Sequence, residues 1–267
     1  VLAFAPSRNS GVGLFRDFYG GRMTFGMGWW GLAGPSGDQE WRDGNHVTAR
    51  LTALPWAPCD CESRFWEVGV YGTYRFDQRL GTRYRTRAEF HLGPRILDLR
   101  LRDAEKEYRV GVETAFNYDN WSFQGEYIAA VPDVEDDPMF YGWYAYVTYQ
   151  LNGGTRRFKR SYAVFDKTKP CKNFDCTECG HLGQWEIALR VSGLDLQDKG
   201  YNGGKAMDFT VGLNWYLNPN TRIMFNYVHS EAEDVPYVDR DIDNDPLVGT
   251  LGDGALDVFA MRFQIFW

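Results

Sequence analysis

Arginine recurs at alternate positions in the stretch T-R-Y-R-T-R-A-E, where Arg83, Arg85 and Arg87 lie between Thr82 and Glu89. In an extended backbone these three guanidiniums share one face and climb it by about 6.6 to 6.8 Å per step. A guanidinium is a planar fork that meets phosphate or carboxylate oxygens bidentately and keeps its charge in a confined space. Such a ladder can guide anions, with Glu89 as a counter-ion and Arg79, Arg95, Arg100 and Arg102 close by in sequence. Taken alone, the same spacing fits a surface strand with a solvated basic face better.

A second basic cluster holds Arg156, Arg157, Lys159, Arg160, Lys167, Lys169 and Lys172, with Asp166 as the single acid between Gly153 and Lys172. It reads either as a segment folded into a channel mouth or as a solvated or lipid-contacting loop. The same region carries Cys171, Cys176 and Cys179 followed by His181, and Cys59 and Cys61 stand apart from them. In an oxidising compartment disulfides are the favoured reading. A structural zinc site using Cys171, Cys176, Cys179 and His181 is the alternative, and no other cofactor is expected. No G-x-S-x-G, H-E-x-x-H or P-loop occurs, and the four histidines are dispersed, so the chain does not read as an enzyme.

The elements that would position these groups are strands. Tyr108, Val110, Val112, Phe116 and Tyr118 alternate with Arg109, Gly111, Glu113 and Asn117, and Phe259, Met261, Phe263 and Ile265 alternate with Ala260, Arg262 and Gln264. The pattern recurs through most of the 267 residues, with tight turns at Gly20, Asp119 and Pro219 and a Gly-rich loop expected around Gly200 to Gly204. The polar faces carry Arg50, Arg75, Arg109, Arg190, Arg222 and Arg262, with Glu67, Glu113, Glu126, Glu186 and Asp208 as candidate cross-strand partners.

Net charge is −7, and 10 Trp, 16 Tyr and 18 Phe accompany 44% hydrophobic residues, with a mean hydropathy of −0.46. No apolar run reaches the length of a transmembrane helix. Strands of about ten residues, apolar and aromatic on one side and charged on the other, are the signature of a transmembrane β-barrel. The acids gather at Asp133 to Asp137 and Glu231 to Asp245, away from the basic runs. The expected fold is an all-β, antiparallel transmembrane barrel, a single domain over 1–267. Nothing points to nucleic acid as a partner.

Counting Thr82 to Glu89 as a wall strand puts the tight turns on opposite sides, whereas placing it in a connection over 77–106 puts all three on one side. The count is then eleven strands, with 77–106 a long basic extracellular loop folded inward and 152–182 a long basic, Cys-containing periplasmic segment. Closed single-chain bacterial barrels have even strand numbers, so the reading expects the N-terminal strands to be missing from this sequence.

The blocks R-T-R-A-E (Arg85 to Glu89), W-S-F-Q-G-E-Y (Trp121 to Tyr127) and G-L-N-W-Y-L-N-P-N (Gly212 to Asn220), with the run from Phe158 to Pro170, resemble the C-terminal two thirds of the phosphate-selective porins of the O/P family. The resemblance implies a sixteen-stranded, homotrimeric outer-membrane porin of a Gram-negative-type bacterium, of which these are the last eleven strands. Its inward-folded loops would conduct phosphate-like oxyanions, with outer-membrane lipid and lipopolysaccharide around it. Two other readings stay open: a general, weakly selective porin, and a barrel that docks a periplasmic protein partner through its Cys-rich segments.

Overall fold

The computed structural model describes residues 3–5, 9–31, 44–58, 63–78, 81–90, 92–175, 181–235 and 253–266. Eleven strands form one antiparallel sheet in chain order. They are β1 (Ser10–Phe18), β2 (Met23–Gly31), β3 (Asn45–Trp56), β4 (Arg64–Phe76), β7 (Glu107–Tyr118), β8 (Trp121–Pro132), β9 (Phe140–Gln150), β12 (Gln184–Asp198), β13 (Tyr201–Asn218), β14 (Thr221–Glu233) and β15 (Gly254–Ile265). Two excursions leave this meander. Between β4 and β7 the hairpin β5 (Thr82–Arg87) and β6 (Arg95–Leu101) makes its own two-stranded sheet; between β9 and β12 lie the short strands β10 (Phe158–Lys159) and β11 (Val164–Phe165) around a 3-10 turn at Arg160–Tyr162. Among the described residues, β1 and β15 each pair with one neighbour.

Burial along β7 identifies the kind of sheet. Glu107 and Asn117 are fully buried and Arg109 is 5% exposed, whereas Tyr108, Val110 and Val112 are 56%, 61% and 51% exposed. A half-buried sheet in water has the opposite arrangement, apolar side in and polar side out. The sheet is the wall of a transmembrane β-barrel, with an aromatic and aliphatic face toward lipid and a polar face toward the interior.

The two faces also account for where the excursions go. On the interior side the even positions of β8 run Ser122, Gln124, Glu126 and then Ile128 and Ala130, and those of β12 run Gln184, Glu186, Ala188, Arg190, Ser192 and then Leu194 and Leu196. The polar wall thus turns apolar toward one end, and the hairpin covers that patch. Tyr84, Ile96, Leu97 and Leu101 pack with Ile128, Ala130, Phe140, Leu194, Leu196, Ala206 and Ala232 in one buried cluster. Burying side chains of this size stabilises the docked hairpin by about 1.5–3 kcal/mol each. At the other end a second cluster joins Phe158 and Ala163 to Leu54, Ala57, Phe65 and Ala115 of the wall, with the rings of Phe65 and Phe158 stacked 4.0 Å apart.

One expected loop is a turn. The chain reverses between β12 and β13 through Lys199 and Gly200 alone, both at positive φ (48° and 87°), as a two-residue hairpin of the primed type requires. Gly203 and Gly204, expected in a loop, lie inside β13, where the side chains of Leu99 and Leu97 approach them so closely that an added Cβ would lie within 2.9 and 2.7 Å. Glycine there serves both the docking of the hairpin and a bulge, since the β12–β13 register shifts between Asp195 and Gln197 and Gly204 lies at a φ of 81°. This turn lies at the opposite end of the sheet from those at Gly20, Asp119 and Pro219.

Candidate functional site

Cross-strand register builds the arginine-bearing face of the hairpin. Arg83 lies opposite Arg100, Arg85 opposite Asp98, and a bulge brings Arg95 opposite Arg87. Five arginines and one aspartate therefore share the side of the hairpin that faces away from the wall, while Tyr84, Leu97, Leu99 and Leu101 occupy the docked side. Asp98 is the organising acid. It receives Arg83 bidentately at 2.7 and 2.6 Å and lies 3.5 Å from Arg95. Arg85 is the exposed rung. Partial burial, and after it the like charges of Arg95 and Arg83, hold its guanidinium below the usual arginine pKa.

The hairpin is pinned at both ends. Tyr84 donates its hydroxyl to Glu107 at 2.6 Å, and Glu107 also accepts from Arg75 (2.7 Å) and Arg109 (2.7 and 2.8 Å); Arg109 also donates to the carbonyl of Phe4. Glu89, at the other end, accepts from Arg190 (2.8 Å) and Ser192 (2.6 Å) of β12 and from Thr210 (3.1 Å) of β13. Glu89 was expected as the counter-ion of the ladder; in the structure it bonds the wall, and Asp98 holds the ladder instead.

Most of the wall arginines are structural partners. Arg50 pairs with Glu113 at 2.6 Å and donates to the carbonyls of Tyr162 and Ala163, holding the second excursion against the wall. Arg75, Arg109 and Arg190 serve the contacts just described. Arg222 donates to Gln264 at 2.9 Å and lies over the rings of Tyr216 and Phe266, and Arg262 is exposed on the interior side; neither meets a carboxylate among the described residues.

In the second excursion Arg157 and Arg160 are half-buried, with the Arg157 carbonyl accepting from the Asp166 amide at 2.8 Å. Lys159 is exposed over Tyr162, Lys167 is exposed over Phe266, and Lys169 is exposed. Arg156 has the most elaborate seat: its guanidinium lies 3.9 Å from the centre of the Phe165 ring and donates to the Tyr146 hydroxyl. A cavity of about 600 Å³ opens between the hairpin end at Glu89 and Phe90, this segment, and β12 to β15. Arg156, Lys167, Arg190, Arg222 and Arg262 line it, against Glu89, Asp166 and Glu186.

The arginines of the hairpin and those of the cavity are thus held by different elements. Asp98 and the seat of Arg156 were not singled out from sequence. The R-I-L-D-L-R-L run of β6, where Asp98 and Arg100 alternate with Leu97, Leu99 and Leu101, carried the signal for the first. The second has no local signal, since Tyr146 and Phe165 belong to different elements.

Cys171 is exposed and bonded to no other cysteine among the described residues. Cys59, Cys61, Cys176 and Cys179 lie outside them, as does Arg79, and with them the disulfide and zinc readings; His181 is bridged to Asp175 in backbone pairing. No group of three His, Cys, Asp or Glu side chains among the described residues is placed to hold a metal.

An antiparallel wall with its polar face inward and cationic segments folded onto that face defines a porin-type barrel. The profile of the family described as phosphate-selective porin O and P matches residues 10–264, and the chain belongs to that family. An uncharacterized protein of Caulobacter vibrioides is 32% identical over 150 residues, which cover 55% of this chain and 29% of that protein. Porin O of Pseudomonas aeruginosa is 29% identical over 154 residues, covering 53% of this chain and 34% of the relative. The matched segments thus amount to about a third of the length of either relative.

Proposed function

We propose that this chain forms part of an outer-membrane porin that passes small anions, phosphate-like oxyanions among them, by passive diffusion. The observation that carries the reading is the two-sidedness of the β5–β6 hairpin. Its apolar side is buried against the wall and its five arginines, with one aspartate, face away from it. An anion moving along that face exchanges part of its hydration for guanidinium donors, with Arg85 the exposed one of the ladder. The cavity arginines offer further cationic contacts along the interior of the wall. Family membership supports the porin class, and the family's description includes phosphate selectivity. The reading places the barrel in the outer membrane of a Gram-negative-type bacterium, bordered by lipid and lipopolysaccharide, as a homotrimer.

The test is the zero-current potential across a planar bilayer under a salt gradient, for the wild-type protein and for Arg83→Ala, Arg85→Ala, Arg87→Ala combined. The wild type is expected to favour anions, and the triple variant to lose most of that preference. A cation-favouring wild type would overturn the reading, and unchanged selectivity in the variant would remove the ladder from the conducting path.

A further inference from the structure

The second excursion does not stay inside the barrel. Residues Thr155 to Thr168 lie along the interior face, where Asn117 donates to Thr155 and Arg156 at 3.0 Å and Thr168 is buried. By Phe174 the chain has crossed the rim. The Phe174 amide donates to the carbonyl of Leu217 at 2.7 Å, and its ring packs edge-on against Trp215 at 5.2 Å. Trp215 belongs to the lipid-facing side of β13, stacked on Trp185 of β12 at 4.9 Å. The indole nitrogen of Trp215 in turn donates to the carbonyl of Leu182 at 2.7 Å. Gly183 lets the returning chain come this close, since an added Cβ would lie 2.4 Å from the Tyr216 carbonyl. The result is a flap, residues 169–175 and 181–183, that starts at the rim, where Cys171 lies beside Gly154, and is fastened to the outer side of the wall at Phe174 and Leu182.

Trp66, Trp121, Trp185 and Trp215 mark the same end of the lipid-facing side on β4, β8, β12 and β13, the position of an aromatic girdle at a membrane interface. The flap continues that girdle. Leu182 is 65% exposed and Phe174 is exposed beside it, while Lys169 and Lys172 are exposed on the approaching strand of the flap. Apolar side chains level with tryptophans, with ammonium groups adjacent, match the boundary between acyl chains and anionic headgroups.

We infer that the flap, in its described residues 169–175 and 181–183, docks the barrel rim onto anionic phospholipid of the leaflet at the tight-turn end, with Lys169 and Lys172 on the phosphodiester headgroups and Leu182 and Phe174 seated at the acyl boundary. The inference rests on the membrane-facing assignment of the wall's aromatic side, and not on which ions the pore conducts.

The test is amide hydrogen exchange of the whole chain reconstituted in vesicles of phosphatidylcholine, or of phosphatidylcholine with phosphatidylglycerol. Near an anionic surface each lysine strengthens association about fivefold. Exchange across 169–175 is therefore expected to slow several-fold in the phosphatidylglycerol vesicles. Lys169→Ala with Lys172→Ala should abolish the difference, and Lys169→Arg with Lys172→Arg should keep it. Quenching of tryptophan fluorescence by brominated acyl chains serves as the internal reference. If the tryptophans are quenched in both lipids while 169–175 exchanges alike in both, or if the alanine variant keeps the difference, the docking is overturned and the pore reading stands. If they are quenched in neither, the membrane placement of the wall is wrong and the inference falls with it.

Discussion

Asp98→Asn isolates the electrostatics of the ladder with little change of shape. The carboxylate is nearly buried between Arg83, Arg85 and Arg95 and is the one acid that the two hairpin strands place on the arginine-bearing face. The amide removes one negative charge and keeps the volume. An anion seated at Arg85 would lie about 7 Å from that charge. With an effective dielectric constant of about 20 to 40, removing the repulsion is worth about 1 to 2.5 kcal/mol before screening. With a Debye length of about 8 Å at 0.15 M salt, roughly 0.5 to 1 kcal/mol remains, or about two- to fivefold in affinity. The assay is block of chloride current by phosphate in planar bilayers. The half-blocking concentration is expected to fall by that factor at 0.15 M and to converge on the wild-type value near 1 M, where the Debye length shrinks to about 3 Å. Losing the bidentate partner of Arg83 costs roughly 1.5–3 kcal/mol locally, but the apolar docking of Tyr84 and Leu97 keeps the hairpin seated. Unchanged block at 0.15 M, or a shift that persists at high salt, would refute the placement of this face on the ion path.

Two further outcomes follow from the docking and from the charge state. Leu97→Ala removes a fully buried side chain from the hairpin–wall cluster and is expected to cost about 2–5 kcal/mol of docking. It should raise open-channel noise and weaken anion selectivity together; quiet, selective channels would show that the hairpin is held by its ion pairs alone. The depressed Arg85 pKa loses charge only as pH rises, and arginine starts from a value so far above neutrality that the ladder stays cationic across the working range. Selectivity should therefore be flat from about pH 6 to pH 9; a fall within that window would assign it to histidine or lysine instead.

Much of the barrel was legible from sequence because the side-chain period of a strand is two and a barrel wall separates lipid from interior at every residue. The alternation of Tyr108, Val110 and Val112 with Arg109 and Glu113 gave both faces of β7, and the same rule yielded eleven strands. It failed where the interior itself is apolar. Leu194 and Leu196 continue the inward face of β12, but an inward leucine breaks the polar pattern, so the alternation fades before the strand ends and the Lys199–Gly200 turn reads from sequence as part of a glycine-rich loop.

The sequence by itself determined the strands, their two faces and the alternation of Arg83, Arg85 and Arg87, since all three depend on backbone geometry over a few residues. Only the tertiary structure decided which arginines are spent on structure. Arg50 holds Glu113 and the second excursion, Arg75 and Arg109 share Glu107, and Arg190 holds Glu89 from 101 residues away in the chain. Ion pairing depends on distance in space, and a sequence shows only which charges exist. The same physics moved Glu89 from the ladder to the wall and left Asp98, a residue of the opposite strand, as the acid that holds the arginines together.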